Sequence, residues 1–127
     1  SFGIDIQMEF AVNWDTPDNL YYNGLLSMIG GVDPTGVGCD IIVLMTGQED
    51  PSCEGIAYQL GRHFVMDATE ILNANLFQHE ATHLFGPGDH GYDLGIFCIM
   101  SYSYTWVYRG YCGPCTTNIN EHRFRFE

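Results

Sequence analysis

The chain opens on an alternation of apolar and polar positions and later changes to a helical period. From Ile4 to Trp14 the first half puts Ile4, Ile6, Met8 and Phe10 on one face, which predicts a strand with one buried side. Thr16-Pro17-Asp18 is a helix-start signal, and Leu20, Leu25, Met28 and Ile29 come after it at roughly helical spacing until Gly30-Gly31 and Asp33-Pro34 end the run. Asp40 to Thr46 reads as a buried strand rich in β-branched residues. Gly55 to Leu60 and His63 to Met66 read as two more short strands. A long helix is predicted from about Glu70 to Phe85, capped by Asp67 or Thr69, its period carried by Ile71, Leu72, Ala74, Leu76, Phe77, Ala81 and Leu84. It must stop at Gly86-Pro87-Gly88, because Gly caps a helix and Pro cannot continue one. A loop-rich stretch with many Tyr and Gly comes next, and Thr116 to Arg125 is predicted as a short terminal helix. This order predicts a mixed α/β chain of the α+β class, a small twisted sheet with helices packed on one side.

A length of 127 residues suits one domain with one core. No apolar run approaches the roughly 20 residues of a membrane-spanning helix, so no membrane partner is expected. The start at Ser1-Phe2-Gly3, with no visible signal peptide, reads as a mature or trimmed form. The formal net charge is -12, and the only cations besides His are Arg62, Arg109, Arg123 and Arg125. Such a surface repels phosphate backbones, which excludes nucleic acid as a natural partner and otherwise speaks to solubility. Five cysteines, Cys39, Cys53, Cys98, Cys112 and Cys115, fit a secreted protein with one or two disulfides and at least one Cys left over.

The chemistry concentrates in His79-Glu80-Ala81-Thr82-His83. On a helix, residues four apart share a face, so the two imidazoles can hold one zinc ion. Glu80, beside them, can take the proton of a water that the metal acidifies and return it to the leaving amine of a cleaved peptide. A catalytic zinc normally has three protein ligands, and the turn at Gly86 brings two candidates for the third, Asp89 and His90.

His79 to Asp89, with Met100 downstream, resembles the signature of the metzincin zinc peptidases. The Asp at the third position, followed by His, is similar to the snapalysin branch. Cys98-Ile99-Met100 is similar to the Met-containing turn of the reprolysins. Cys-x-Met followed by Cys-x-x-Cys is similar to the archaemetzincins. The resemblance implies His79, His83 and Asp89 as ligands, Glu80 as general base, and Met100 as the hydrophobic floor of the site. It also implies Tyr102 as a contact to zinc or to the reacting centre, and Ser101 to Trp106 as the wall of a substrate pocket. Gly55-Ile56-Ala57-Tyr58 would be the edge strand along which substrate lies. His90 is left as an alternative ligand, as an orienting partner of Asp89, or as neither. The implied division is a single metallopeptidase domain, 1–127, with a sheet-and-helix part to residue 86 and a loop-rich part from 87.

Cys112-Gly113-Pro114-Cys115 has the spacing of a thioredoxin-type redox pair, but that reading needs a strand before it and a long helix after it. A disulfide from Cys98 to Cys112 or Cys115 is expected ahead of a second, structural zinc, which the archaemetzincin likeness implies on Cys98, Cys112 and Cys115 with His90 or another residue. Cys39 and Cys53 could pair. His63 and His122 lack ligand spacing to the motif and are expected to be structural or surface residues. No calcium loop of recognised spacing is present. The function expected is a secreted, monomeric, zinc-dependent endopeptidase acting on extended peptides. The alternatives are an inactive zinc-binding module and a zinc amidase acting on a different amide.

Overall fold

The computed structural model describes residues 2–9, 11–15, 20–68 and 74–127. Helix α1 spans Tyr22–Gly30 and a 3-10 turn spans Pro34–Val37. Strands β1 (Ile42–Thr46), β2 (Gly55–Ala57) and β3 (His63–Asp67) come next, then α2 (Ala74–His83) and α3 (Gly113–His122). The sheet has the order β1-β3-β2, with β1 parallel and β2 antiparallel to β3, so it is mixed.

The central strand is β3, and the first four of its five residues, His63, Phe64, Val65 and Met66, are buried. Successive side chains of a strand point to opposite faces. Phe64 and Met66 therefore join Leu76, Ala81, Leu84 and Phe85 of the α2 region and Ile119 of α3. Val65 joins Leu44 and the buried face of α1, Tyr22, Leu25, Leu26 and Ile29. The helices thus lie on both faces of the sheet, which corrects the expected one-sided packing. The physical reason is that β3 is apolar on both sides and must be covered on both.

The strand expected from Ile4 to Trp14 does not form. Residues 4–9 and 11–14 carry no strand pairing, and Phe10 lies outside the described residues. Phe2 and Ile4 pack on the α2–α3 core, but Met8 is 84% and Val12 75% exposed. Burying a large apolar side chain contributes about 1.5–3 kcal/mol, and side chains this exposed gain little of it. Alternation offers an apolar face, but a strand also needs a partner. The helix-start signal at 16–18, the cap at Thr69 and the first turn expected from Glu70 also lie outside the described residues. Where α1 begins, at Tyr22, its backbone N–H is held by Asp50 at 2.9 Å.

Helix α2 ends where Gly86 takes a positive φ of 116°. The last carbonyls of a helix have no partner within it, and here two other segments supply donors at this end. Leu60 N–H donates to His83 O (2.9 Å), Arg125 Nη1–H donates to Leu84 O (2.9 Å), and the Gln59 amide donates to Gly86 O. Arg125 also reaches Gly61 O (2.7 Å) and Leu60 O, so the chain terminus fastens the β2–β3 turn to the end of α2. A cation at a helix C-terminus is favoured by the helix dipole as well. Hydrogen bonds from a charged donor contribute about 1.5–3 kcal/mol. Replacing Arg125 by Ala is therefore expected to lower stability by about 2 kcal/mol, read as a shift in the urea midpoint at unchanged slope.

Candidate metal centres

Two four-apart histidines on one face of α2 meet an aspartate delivered by the turn beyond its end. His79 Nε2 lies 3.0 Å and His83 Nε2 3.1 Å from Asp89 Oδ1. Both rings are held from behind. His79 Nδ1–H donates to Ile99 O at 2.8 Å, and His83 Nδ1–H donates to Pro87 O at 2.9 Å. A backbone acceptor on Nδ1 fixes the tautomer and turns the Nε2 lone pair toward the aspartate, the arrangement in which imidazoles bind a metal. Thr105, not anticipated from the sequence, steadies this support by donating to Ile99 O at 2.8 Å, and its hydroxyl lies 3.3 Å from His79 Nδ1. No spacing rule links a Thr 26 residues downstream of a histidine to that histidine's ring.

Asp89 is 37% exposed in its side chain and its acidity is strongly enhanced. Burial acts to raise its pKa, but His79 and His83, which can donate to it only while Nε2 also carries a proton, and the Tyr102 hydroxyl outweigh that and keep it ionised. Tyr102 donates its hydroxyl to Asp89 Oδ2 at 2.6 Å, and its ring tilts over His79. Burial and this same carboxylate raise the Tyr102 pKa, so the phenol stays protonated.

Glu80 is buried, at 4% exposure, with its carboxylate pressed under β2. Its pKa is pushed up to about 8, chiefly by burial; the His79 charge opposes the rise and Asp89 adds to it. Its Oε2 has no hydrogen-bond partner among the described residues. Gly55 explains the close approach, since a Cβ there would stand 2.6 Å from Glu80 Oε1. Gly55, Ile56 and Ala57 form β2, an edge strand among the described residues. Tyr58 comes directly after it at the turn, with its N–H donating to His63 O.

A second cluster stands beside the first. His90, Cys98, Cys112 and Cys115 bring four donor atoms within 4.8 Å of one another, as His79, His83 and Asp89 bring three. His90 Nε2 lies 3.0 Å from Cys115 Sγ and 3.3 Å from Cys112 Sγ. His90 therefore groups with the cysteines and not with His79, His83 and Asp89. All five cysteines are free thiols. The expected disulfide from Cys98 to Cys112 or Cys115 is not made, and neither is one between Cys39 and Cys53. The thioredoxin-type reading finds its helix, since α3 begins at Gly113 rather than at the expected Thr116, but no strand precedes it. Cys98 to Ser101 is a tight turn closed by Ser101 N–H to Cys98 O (3.0 Å), with Met100 fully buried on it. His63 and His122 are structural as expected, bonded to Val32 O (2.7 Å) and Asn118 O (2.9 Å).

Both clusters could hold a metal ion. The chemistry of the donors suits two different sites, one of three donors, two imidazoles and a carboxylate, the other of four, three sulfurs and an imidazole. Compared with known proteins, the chain matches no family model, no curated protein and no solved structure.

Metal titration followed by elemental analysis is expected to give two ions per chain. His83→Ala should lose one and Cys98→Ser the other. Loss of both ions from either variant, or of neither, would show that the clusters are not independent metal sites.

Proposed function

We propose that the chain is a zinc-dependent endopeptidase. The observation that supports this most directly is the convergence of His79 Nε2 and His83 Nε2 on Asp89 Oδ1 at 3.0 and 3.1 Å, with Glu80 next to His79 on the same helix. His79, His83 and Asp89 would hold the zinc, and the partnerless Glu80 Oε2 fits a site that a cation completes. When bound, zinc supplies Lewis acidity, which makes a water more acidic and polarises a carbonyl.

Glu80 would be the general base. A nearby cation favours its charged form, opposing the burial that raises its pKa. As a carboxylate it takes a proton from the attacking water, and as an acid it returns that proton to the departing amine. The Tyr102 phenol, protonated, gives its one O–H to Asp89, and it would donate to oxyanion charge on the substrate only by turning from that carboxylate. The exposed edge of β2, from Gly55 to Ala57, can add an extended peptide as a further strand. His90, Cys98, Cys112 and Cys115 would carry a second zinc of structural type. The proposed setting is extracellular and the proposed form monomeric. No helix among the described residues is long and apolar enough to cross a membrane.

One observation favours a second reading, a zinc-binding module without turnover. Glu80 is buried beneath Gly55, and a base must reach its water. Casein cleavage by the zinc-loaded chain, run beside Glu80→Ala, separates the two. The peptidase reading expects internal cleavage by the parent and a loss of at least about a hundredfold in the variant, the usual contribution of a general base. Zinc uptake with no cleavage by either protein would favour the module.

Gly55→Ala gives a companion expectation. The added methyl displaces the Glu80 carboxylate, so cleavage should fall while zinc stoichiometry stays at the parent value. Unchanged turnover in this variant would mean that the contact with Gly55 does not position Glu80.

A further inference from the structure

We infer that Cys112 and Cys115 form an oxidisable pair whose closure to a disulfide dismantles the sulfur-rich cluster and loosens the histidine–aspartate cluster beside it. The inference rests on the reading that both clusters hold zinc, and it adds a control on that metal.

The two cysteines stand three apart at the start of α3, Cys112 as its N-cap and Cys115 within its first turn. Their sulfurs belong to one group of donors within 4.8 Å. Cys98 and Cys115 are buried, while Cys112 is half-buried. Beside Cys112 the chain is open: Gly113 and Pro114 are exposed, and a Cβ at Gly113 would meet nothing within 4 Å. A small disulfide, RSSR, can therefore reach Cys112 first.

The Cys112 thiolate attacks one sulfur of RSSR, forming a mixed disulfide and releasing RS⁻. The Cys115 thiolate then attacks Cys112 Sγ, the second RS⁻ leaves, and the intramolecular bond closes. Two electrons pass from the cysteine pair to RSSR, and the two RS⁻ take protons from solvent. The cluster keeps only His90 and Cys98, too few donors for a structural zinc.

The remaining two donors carry the effect to the other cluster, because each is covalently next to a residue that shapes it. His90 adjoins Asp89. Cys98 precedes Ile99, whose carbonyl orients His79 at 2.8 Å. The two segments are laced together by His90 N–H to Met100 O (2.9 Å) and Tyr102 N–H to Gly91 O (2.6 Å). Freeing His90 and Cys98 releases this lacing from its anchor. Disturbing groups that orient metal ligands commonly weakens metal affinity by about 10–100-fold. In oxidising surroundings a peptidase built this way would have a working life set by the local redox poise.

The test is to incubate the doubly zinc-loaded chain with oxidised glutathione, track zinc with a chromophoric chelator, and map disulfides by mass spectrometry. One zinc should leave as the Cys112–Cys115 bond forms. The second should then be held about tenfold or more weakly, and dithiothreitol with added zinc should restore both. Cys112→His keeps four donors and removes the pair, so it should keep both ions under the same oxidant. The inference is overturned if the bond forms while both ions stay, if the first ion leaves with the second's affinity unchanged, or if Cys112→His loses zinc as the parent does. If Cys112→His does not fold, the parent's disulfide map and chelation kinetics decide. Every readout is metal or sulfur, so a chain that passes them without cleaving casein fails the peptidase reading alone.

Discussion

The reversal of the chain at Gly86 is the constraint on which the site depends. A helix that continued past His83 would carry Asp89 away along its axis, and the imidazoles would have no carboxylate. Only a residue without a side chain fits, because φ is 116° and a Cβ would stand 2.3 Å from Asn118 Oδ1. The turn is held from three directions, by the β2–β3 turn, by Arg125 and by α3. The short terminal helix and the small sheet thus have a common task, to stop α2 at one place and aim the segment beyond Gly86.

That segment serves two clusters at once. Asp89 and His90 are consecutive, and consecutive side chains of an extended segment point to opposite sides. One faces the histidines of α2 and the other the sulfurs at the start of α3. The same division recurs at Cys98 and Ile99, where a side chain serves one cluster and the next carbonyl serves the other. The segments 89–91 and 98–102 therefore form a shared wall between the clusters, which is why events at the sulfurs are felt at the histidines.

The local parts of this arrangement were legible in the sequence. The i, i+4 pair on α2, the stop at Gly86, the carboxylate three residues on, α1 and the three strands all derive from spacing and turn chemistry. The parts that escaped are non-local. Which strand is central decides whether helices cover one face or two, and strand order is not written in hydrophobic periodicity. The run His63-Phe64-Val65-Met66 held a partial signal, since it shows no polar alternation. The alternation from Ile4 misled because a strand's face can be read from one segment while its partner cannot. The cysteines were visible as a group, but choosing between a disulfide and a four-donor cluster needs the path by which His90 returns to Cys112. Thr105, the carbonyl of Ile99 and the pressure of Gly55 on Glu80 are contacts between distant segments with no motif to announce them.

The unlike donor sets of the two clusters bear on which ions the chain takes from a mixture. Three thiolates and an imidazole form a soft site, and two imidazoles with a carboxylate form a harder one. Soft ions such as cuprous copper are drawn to the sulfurs, whereas cobaltous or manganous ions compete better for the other position. Because both sites share the wall from Asp89 to Tyr102, an ill-fitting ion among the sulfurs would distort the geometry offered to the ion next door. If both clusters hold metal as proposed, the composition of the surrounding metal pool, and not zinc concentration alone, would set what fraction of molecules is correctly assembled.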